Sequence, residues 1–257
     1  MKETYHPLSP RLQALFDMVP EGLRLTDIGT DHGWLPIDLV MSGKIKSAIA
    51  MDLRVGPLER ARSHIEEAGL TGQIETRQSD GFSALKVGEA DAAVLSGMGG
   101  NLMMRILDQQ KEIVSSLKVL ILQPQSELYD FRLFLHREGY RLVDEMIAEE
   151  EGKFYFLMKV LPPGSDFLKA KDLSSFWRGL GLPEPLALKL GFTFGPVLLM
   201  KKDPALVRYL HHEEEIQLGI ARSLEEADSK DERIRQRLTK LREDMALLHL
   251  ALQIVEG

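Results

Sequence analysis

Short apolar segments alternate with segments of helical spacing from residue 23 to residue 138 of the chain. The apolar segments predict five strands, at 23–28, 47–51, 73–77, 91–95 and 117–122. Helical patterns lie between them, for example at 57–68, where Gly69 is a typical helix stop, and at 126–138, where Ser126 is the predicted cap. A short helix is also predicted before the first strand, with Ser9 as N-cap and Pro10 in its first turn. Strands that alternate with helices form βαβ units around a mostly parallel sheet. The chain is therefore predicted to have an α/β fold.

The pattern changes after residue 139. Two extended runs, 140–148 and 153–160, are separated by an acidic turn at 149–152, which predicts a terminal β-hairpin. Five alternating strands and a hairpin give a mostly parallel seven-stranded sheet. This Rossmann-like layout is typical of class I methyltransferases, although fold analogy alone does not establish a function.

The C-terminal third has a different character. The segment Leu-Pro-Pro-Gly-Ser at 161–165 predicts a linker, so we expect one domain at 1–160 and a second at 161–257. Two long helices are predicted at 204–227 and 229–255, joined near Asp228-Ser229. The second carries an apolar stripe at spacings of four and three, which predicts a helical coiled-coil domain. The stripe comprises Ile234, Leu238, Leu241, Met245, Leu248 and Ala251.

Composition narrows the classes of function. The chain has no cysteine, which excludes disulfides, thiolate metal sites and cysteine nucleophiles and fits a cytoplasmic location. No apolar run approaches the roughly 18 residues needed to span a bilayer, so no membrane is expected. His211 and Glu215 lie one helical turn apart, but without a third ligand a solvated helix face is the better interpretation, and no metal is predicted.

The strongest motif is Asp-Ile-Gly-Thr-Asp-His-Gly at 27–33, between the first strand and a helix. Ligands of open α/β sheets bind at such turns, and Gly29 and Gly33 allow close backbone approach. The loop lacks the Lys-Ser/Thr of a phosphate loop, and its acids would repel a pyrophosphate. An acidic loop instead suits the sulfonium and ammonium groups of S-adenosylmethionine. The alternative is an ordinary tight turn.

Acidic residues also follow the next two strands. Asp52, with Leu53 beside it, ends the second strand, where a carboxylate can accept hydrogen bonds from ribose hydroxyls. Asp80 and Gly81 end the third strand, where an acid could hold the exocyclic amine of adenine. The alternative for Asp80 is a helix cap for residues from Phe82 onwards.

The fourth and fifth strands end in residues suited to an acceptor pocket. Gly97, Met98, Gly99 and Gly100 form a glycine-rich turn whose main chain could meet a flat base, unless it is simply a flexible turn. Gln123 and Pro124 follow the fifth strand and could frame the same pocket with amide groups.

A basic cluster lies on the last predicted helix. Its members are Arg233, Arg235, Arg237, Lys240 and Arg242. Contact with RNA phosphates and a solvated coiled-coil flank are equally good interpretations. The net charge of −7 argues weakly against bulk nucleic-acid binding but permits a local basic surface.

Together these motifs resemble the bacterial tRNA (adenine-N1)-methyltransferase family of the TrmK type, which modifies adenine 22. The resemblance spans most of the chain, from Leu-Ser-Pro-Arg-Leu at 8–12 through 27–32, 35–36, 80–81, 97–100 and 122–124 to Gly-Pro at 195–196. It implies S-adenosylmethionine as cofactor, tRNA as partner and a coiled-coil tail that helps to hold tRNA.

The resemblance also implies roles for individual residues. Asp31 is implied at the reaction centre, where it would stabilise positive charge on the methylated purine and could take a proton from the N6 amine. The resemblance implies a cofactor pocket built around Asp27, Gly29, Asp52, Asp80 and Gly81. The other predicted cofactor residues are Thr30, His32, Leu53, Gly97 and Met98. The predicted substrate residues are Arg11, Gly99, Gly100, Gln123 and Pro124.

Other functions stay open at the level of sequence. One is a methyltransferase for a small molecule or a protein, and another is a non-catalytic module that binds the cofactor. A nucleotide-dependent oxidoreductase is disfavoured by the glycine pattern and the loop acidity. The sequence does not decide between a monomer and a dimer.

Overall fold

The predicted strands are all present in a computed structural model that describes residues 7–226 and 231–257. Their ends lie within three residues of the predicted positions. The strands are β1 (Arg24–Ile28), β2 (Ser47–Asp52), β3 (Ile74–Gln78), β4 (Ala92–Met98), β5 (Val119–Pro124), β6 (Arg141–Glu150) and β7 (Lys153–Leu161).

Six helices connect the strands or precede them within residues 7–171. They are α1 (Pro10–Met18), α2 (Trp34–Met41), α3 (Val55–Glu67), α4 (Gly100–Gln109), α5 (Lys111–Ser116) and α6 (Leu128–Arg137). Helix α1 begins as the sequence predicts, with Ser9 as N-cap and Pro10 in its first turn. The prediction that Ser126 caps α6 is wrong. Glu127 is the N-cap residue, and the Ser126 hydroxyl donates to its carboxylate (2.5 Å).

The strands form one sheet in the order β3-β2-β1-β4-β5-β7-β6. Strands β1 to β5 are parallel, whereas β7 is antiparallel to both β5 and β6. The carboxyl ends of five strands therefore meet at one edge, which we call the carboxyl edge. Every residue of β5 is buried, as expected for a central strand covered on both faces.

The core consists of two layers, one on each face of the sheet. Because side chains alternate along a strand, Val94 packs on the same face as Leu39, whereas its neighbour Leu95 packs with Met103 and Phe131 on the other. Helices α1, α2 and α3 cover the first face, and α4, α5 and α6 cover the second. The sheet is therefore covered by helices on both faces.

The terminal hairpin has a shorter turn than the sequence predicts. The strands pair as far as Glu150 and Lys153, so only Glu151 and Gly152 form the turn. Both have left-handed backbone angles, with φ of 51° and 73°. Two such residues form the type I′ turn that matches the twist of paired strands.

The chain divides into two compact units, and the boundary along the sequence lies between Lys171 and Asp172. The residues of the predicted linker pack on the first unit, where the Ser165 hydroxyl donates to the Lys118 carbonyl oxygen (2.6 Å). The second unit is helical. Its helices are α7 (Leu173–Leu180), α8 (Glu184–Phe194), α9 (Pro196–Lys201), α10 (Pro204–Glu225) and α11 (Glu232–Glu256).

Helices α10 and α11 pack side by side and run antiparallel. His211 pairs with Glu256 (2.9 Å) near one end of the contact, and Glu214 pairs with His249 (2.8 Å) one turn further. The predicted connection at Asp228-Ser229 lies outside the described residues. None of the helices within residues 7–226 and 231–257 is long and apolar enough to cross a membrane.

Candidate active site

The glycine loop that follows β1 is fixed by its neighbours at the carboxyl edge. The amides of Gly29 and Thr30 both donate to the Met51 carbonyl oxygen at the end of β2 (2.8 and 2.9 Å). Gly29 has a φ of 83°, and a Cβ atom there would lie 3.1 Å from the Met98 methyl carbon. The loop therefore needs glycine because it is wedged between β2 and β4.

Asp27 is a buried acid at the base of this loop. Only 5% of the residue is exposed, and burial raises the pKa of its carboxyl to about 6. The Asp52 carboxylate also raises that pKa, whereas the Thr30 hydroxyl and Arg11 lower it. The Thr30 hydroxyl is itself buried next to this carboxyl. Both groups gain from a polar, cationic ligand.

Asp52 lies beside Asp27 because β1 and β2 are adjacent. Its Oδ1 accepts a hydrogen bond from the Arg54 amide (2.7 Å). This bond fixes the carboxylate at the end of β2. Leu53 is 59% exposed and offers an apolar surface next to this acid.

Asp31 lies at the rim of the loop, where its side chain is exposed and paired with a cation, whereas that of Asp27 is buried. Its side chain is 56% exposed and forms an ion pair with Arg60 of α3. His32 Nε2 lies 3.4 Å from the other carboxylate oxygen. The hydrogen bond from Arg60 lowers the pKa of Asp31, and the charges of His32 and Arg54 add to this effect. Asp31 is therefore a carboxylate throughout the physiological range.

Three aromatic rings stack next to this rim. The rings of Trp34 and His64 are 3.9 Å apart at 19°, and the His32 ring lies 5.6 Å from His64. His64 Nδ1 is also 2.9 Å from the His32 carbonyl oxygen. The stack fixes the loop to α3. Sequence reasoning missed Arg60 and His64, because no local pattern shows that α3 returns to the first loop.

Asp80 and Gly81 follow β3 as predicted, but no helix begins at Phe82 in the stretch 7–226. Asp80 is exposed, and its backbone carbonyl accepts a hydrogen bond from the Ser83 amide (3.1 Å). A Cβ atom on Gly81 would lie 2.8 Å from Ile106 Cγ2, and the φ there is 55°. The helix-cap interpretation of Asp80 is thus wrong, and its carboxylate is left at the edge.

The turns after β4 and β5 are joined through Gln123. This residue is fully buried, and its Oε1 accepts hydrogen bonds from the Gly97 amide (3.2 Å) and from Arg11 Nη1 (3.4 Å). Arg11 also lies over the Tyr155 ring at 5.7 Å. Gln123 therefore links α1, β4 and β5, so its oxygen supports the turns instead of facing a pocket.

The structure places the other predicted residues of the site along the carboxyl edge, in the order of the strands. Asp80 and Gly81 follow β3, Asp52 and Leu53 are at the end of β2, Asp27 to His32 at the end of β1, Gly97 to Gly100 at that of β4, and Gln123 and Pro124 at that of β5. Arg11 reaches this edge from α1. Within the described stretches, no three His, Cys, Asp or Glu side chains are grouped as a metal site.

Comparison with known proteins gives a consistent result. A family profile described as a methyltransferase domain matches residues 8–158. The tRNA (adenine(22)-N(1))-methyltransferase of Bacillus subtilis strain 168 is 34% identical over 241 residues, which cover 94% of this chain and 95% of that protein.

Two solved structures are similar over nearly their whole length. The m1A22 tRNA methyltransferase TrmK of B. subtilis is 33% identical, with a TM-score of 0.76 and coverage of 95% of this chain and 98% of that one. Sp1610 of Streptococcus pneumoniae, a candidate tRNA (m1A22) methyltransferase solved with S-adenosyl-L-methionine, is 30% identical, with a TM-score of 0.75 and coverage of 95% and 99%. The chain therefore belongs to the methyltransferase domain family and, within it, to the tRNA (adenine(22)-N(1))-methyltransferases.

Proposed function

We propose that this protein transfers the methyl group of S-adenosylmethionine to N1 of an adenine in tRNA, at position 22. The observation that carries the proposal is the row of carboxylates at the carboxyl edge, in a chain that matches a tRNA (adenine(22)-N(1))-methyltransferase over 94% of its length. The chemistry of the edge supports the methyl donor, and the relative supports the acceptor.

The residues at the edge fit the donor. S-adenosylmethionine supplies a methyl group on a positively charged sulfur and also carries an ammonium group. The buried carboxylate of Asp27 favours a cation close to it, because burial without one raises its pKa. Asp52 would hold the ribose, and Asp80 the adenine amine.

Asp31 is our candidate for the catalytic residue. Methylation at N1 places a positive charge on the purine, and a fixed carboxylate beside the ring stabilises that charge as it develops. Arg60 keeps the pKa of Asp31 low, so the residue acts through its negative charge better than as a proton acceptor. The Gly97–Gly100 turn and Pro124 would border the acceptor base, which must leave its stack to enter the pocket.

A direct assay tests the reaction. Purified protein should transfer labelled methyl groups to a tRNA transcript with adenine at position 22, and the label should disappear when that adenine is replaced. Label in a protein extract or a metabolite pool, with none in tRNA, would favour a different acceptor. Tight cofactor binding without transfer to any of them would favour a non-catalytic module.

Substitution of Asp31 tests its role. We expect Asp31→Ala and Asp31→Asn to lower kcat about 10²- to 10³-fold, the usual effect of removing one charge-stabilising group. The affinity for S-adenosylmethionine by calorimetry should change little, because Asp27 and Asp52 hold the donor. Wild-type kcat in either variant would remove Asp31 from the mechanism.

The remaining features of the proposal concern partners and location. The helical domain and its basic helix α11 would contact tRNA phosphates. The enzyme would act in the cytoplasm, a reducing compartment with which the absence of cysteine is consistent.

A further inference from the structure

Glu127, just before α6, has an unusual backbone. Its φ of 52° and ψ of 39° lie in the left-handed region, which is costly for a residue with a Cβ atom. Two other non-glycine residues in the described stretches share this geometry, and both have local reasons. Glu151 forms the hairpin turn, and Lys202 ends helix α9. Glu127 instead precedes a helix, where no such rule applies.

The side chain of Glu127 reaches across to a different helix. Its carboxylate accepts hydrogen bonds from the Ser126 hydroxyl (2.5 Å) and from the backbone N–H of Asn101 (3.3 Å) in the first turn of α4. These bonds lower the pKa of Glu127, so the group is a carboxylate at neutral pH. A negative charge at this end of a helix is also favoured by the helix dipole. The left-handed backbone thus places the Glu127 carboxylate where it caps the N-terminus of α4.

The two glycines before Asn101 fit the same close contact. A Cβ atom on Gly99 would lie 2.9 Å from the Ser126 hydroxyl oxygen, and one on Gly100 would lie 2.5 Å from the Ser126 carbonyl oxygen. The sequence suggested that these glycines face a base. The structure shows that they let the turn after β4 approach the turn after β5.

We propose that Glu127 is a positioning residue, which locks Gly99 and Gly100, the part of the Gly97–Gly100 turn next to α4, in the conformation that receives the acceptor base. The turn is held at both ends, by Gln123 on the Gly97 amide and by Glu127 on the Asn101 amide. The inference rests on the proposed function, because it assigns this turn to the acceptor pocket. Strain kept at one residue next to a site is a common sign of such a role.

Two substitutions of Glu127 separate its carboxylate from its backbone. Glu127→Gly removes the carboxylate and relieves the left-handed backbone, whereas Glu127→Gln keeps an acceptor oxygen at the same reach. Glu151→Gly is a matched control, since it changes an exposed glutamate of the same backbone conformation in the hairpin turn.

For Glu127→Gly we expect a kcat on tRNA lowered about tenfold to a hundredfold, as for a reacting group displaced by about 1 Å. Its affinity for S-adenosylmethionine should stay within about twofold, and its melting temperature within about 3 °C. The amides of the first turn of α4 should exchange with solvent about tenfold faster, because their cap is lost. Glu127→Gln should recover most of the activity, and Glu151→Gly should match the wild type.

Wild-type kcat in Glu127→Gly, or unchanged amide exchange in α4, would overturn the proposal. A loss of activity that follows a large fall in melting temperature would also overturn it, because it would show a general role in folding. If the wild-type protein fails to methylate tRNA, the proposed function is wrong. In that case the exchange rates still decide whether Glu127 holds the turn.

Discussion

At the scale of single residues, Asp27 and Asp31 show how one loop creates two different carboxyl groups. Burial raises the pKa of Asp27 to about 6, whereas the hydrogen bond from Arg60 lowers that of Asp31. Such divergence between neighbouring acids commonly separates their roles. The buried acid suits the binding of a cationic donor, and the rim acid suits charge stabilisation at the acceptor.

The raised pKa of Asp27 predicts that its ionised carboxylate destabilises the free protein but strengthens the binding of S-adenosylmethionine. Its folded carboxyl holds a proton more tightly than in the unfolded chain, so stability is lost as pH rises from about 4 through about 6. At pH 7.5, Asp27→Asn should therefore stabilise the free protein by about 1–3 kcal/mol, measured by urea unfolding. The variant should bind S-adenosylmethionine at least about tenfold more weakly, since one lost charge–charge contact exceeds about 1.4 kcal/mol.

The pH dependence of binding checks the same assignment. Wild-type affinity for S-adenosylmethionine should fall as pH is lowered through about 6, because protonation removes the charge of Asp27. Asp27→Asn should show no such fall in that range. Equal affinities of the two proteins at pH 7.5 would show that Asp27 does not contact the donor.

The ion pair between Arg60 and Asp31, which the sequence did not reveal, predicts that the two residues act together in catalysis. If Arg60 acts by holding the Asp31 carboxylate, Arg60→Ala should lower kcat about tenfold, at the lower end of charge-positioning effects. The double variant with Asp31→Asn should then be no slower than Asp31→Asn alone, because the two residues act as one unit. Steady-state kinetics on tRNA measure this cycle. Additive losses, with a raised KM for tRNA, would show that Arg60 contacts RNA instead.

At the scale of elements, α6 is attached to the hairpin through a buried ion pair. Arg132 of α6 and Glu145 of β6 are 2.9 Å apart, with side chains 2% and 0% exposed. The Arg132 guanidinium also lies over the Phe156 ring at 5.4 Å. Helix α6, which starts next to the turn after β5, is therefore fixed to β6, the last strand at one edge of the sheet.

Breaking this buried pair should be costly. Glu145→Ala leaves the Arg132 charge buried without its partner, and we expect a loss of about 3–5 kcal/mol in the free energy of unfolding. Urea denaturation measures the loss. Lys111→Ala is a matched control, because Lys111 forms an ion pair with Glu138 at the exposed surface (2.8 Å) and should matter far less. Equal losses in the two variants would contradict the prediction.

At this scale the sequence predicted the strands more accurately than the turns. Strand positions follow from runs of apolar residues, which are local. The predicted start of α6 was wrong because Glu127 adopts a left-handed backbone conformation, which is rare for glutamate. The hydrogen bond from the backbone N–H of Asn101, which is distant in sequence, accounts for this conformation. The Gly99–Gly100 pair was identified as functional, but for a different reason from the one that the structure shows.

At the scale of the whole molecule, the proposed substrate is much larger than the site at the carboxyl edge. The five basic residues of α11 are all exposed. Two of them are already paired within the helix, Arg235 with Glu232 and Lys240 with Asp244 (both 2.9 Å). Arg233, Arg237 and Arg242 form no ion pair with a described residue, so they are the better candidates for phosphate contacts.

The two groups of basic residues predict different effects on tRNA. The double variant Arg237→Ala/Arg242→Ala should raise the KM for tRNA severalfold and lower the salt dependence of binding, by roughly 0.9 in log–log slope for each lost phosphate contact. Affinity for S-adenosylmethionine should not change. The control Arg235→Ala/Lys240→Ala should have a smaller effect. Identical behaviour of the two double variants would favour a solvated helix flank.

The sequence by itself determined the order of strands and helices, the hairpin and the acids at successive strand ends. These features depend on local periodicity and on the residues that end each helix or strand, and both can be read from neighbouring residues in the sequence. Only the tertiary structure decided which acid is buried, which is paired with Arg60, and why Glu127 is strained. Ionisation and strain depend on groups distant in sequence, such as Arg60 for Asp31 and Asn101 for Glu127, which only the fold brings within hydrogen-bond distance.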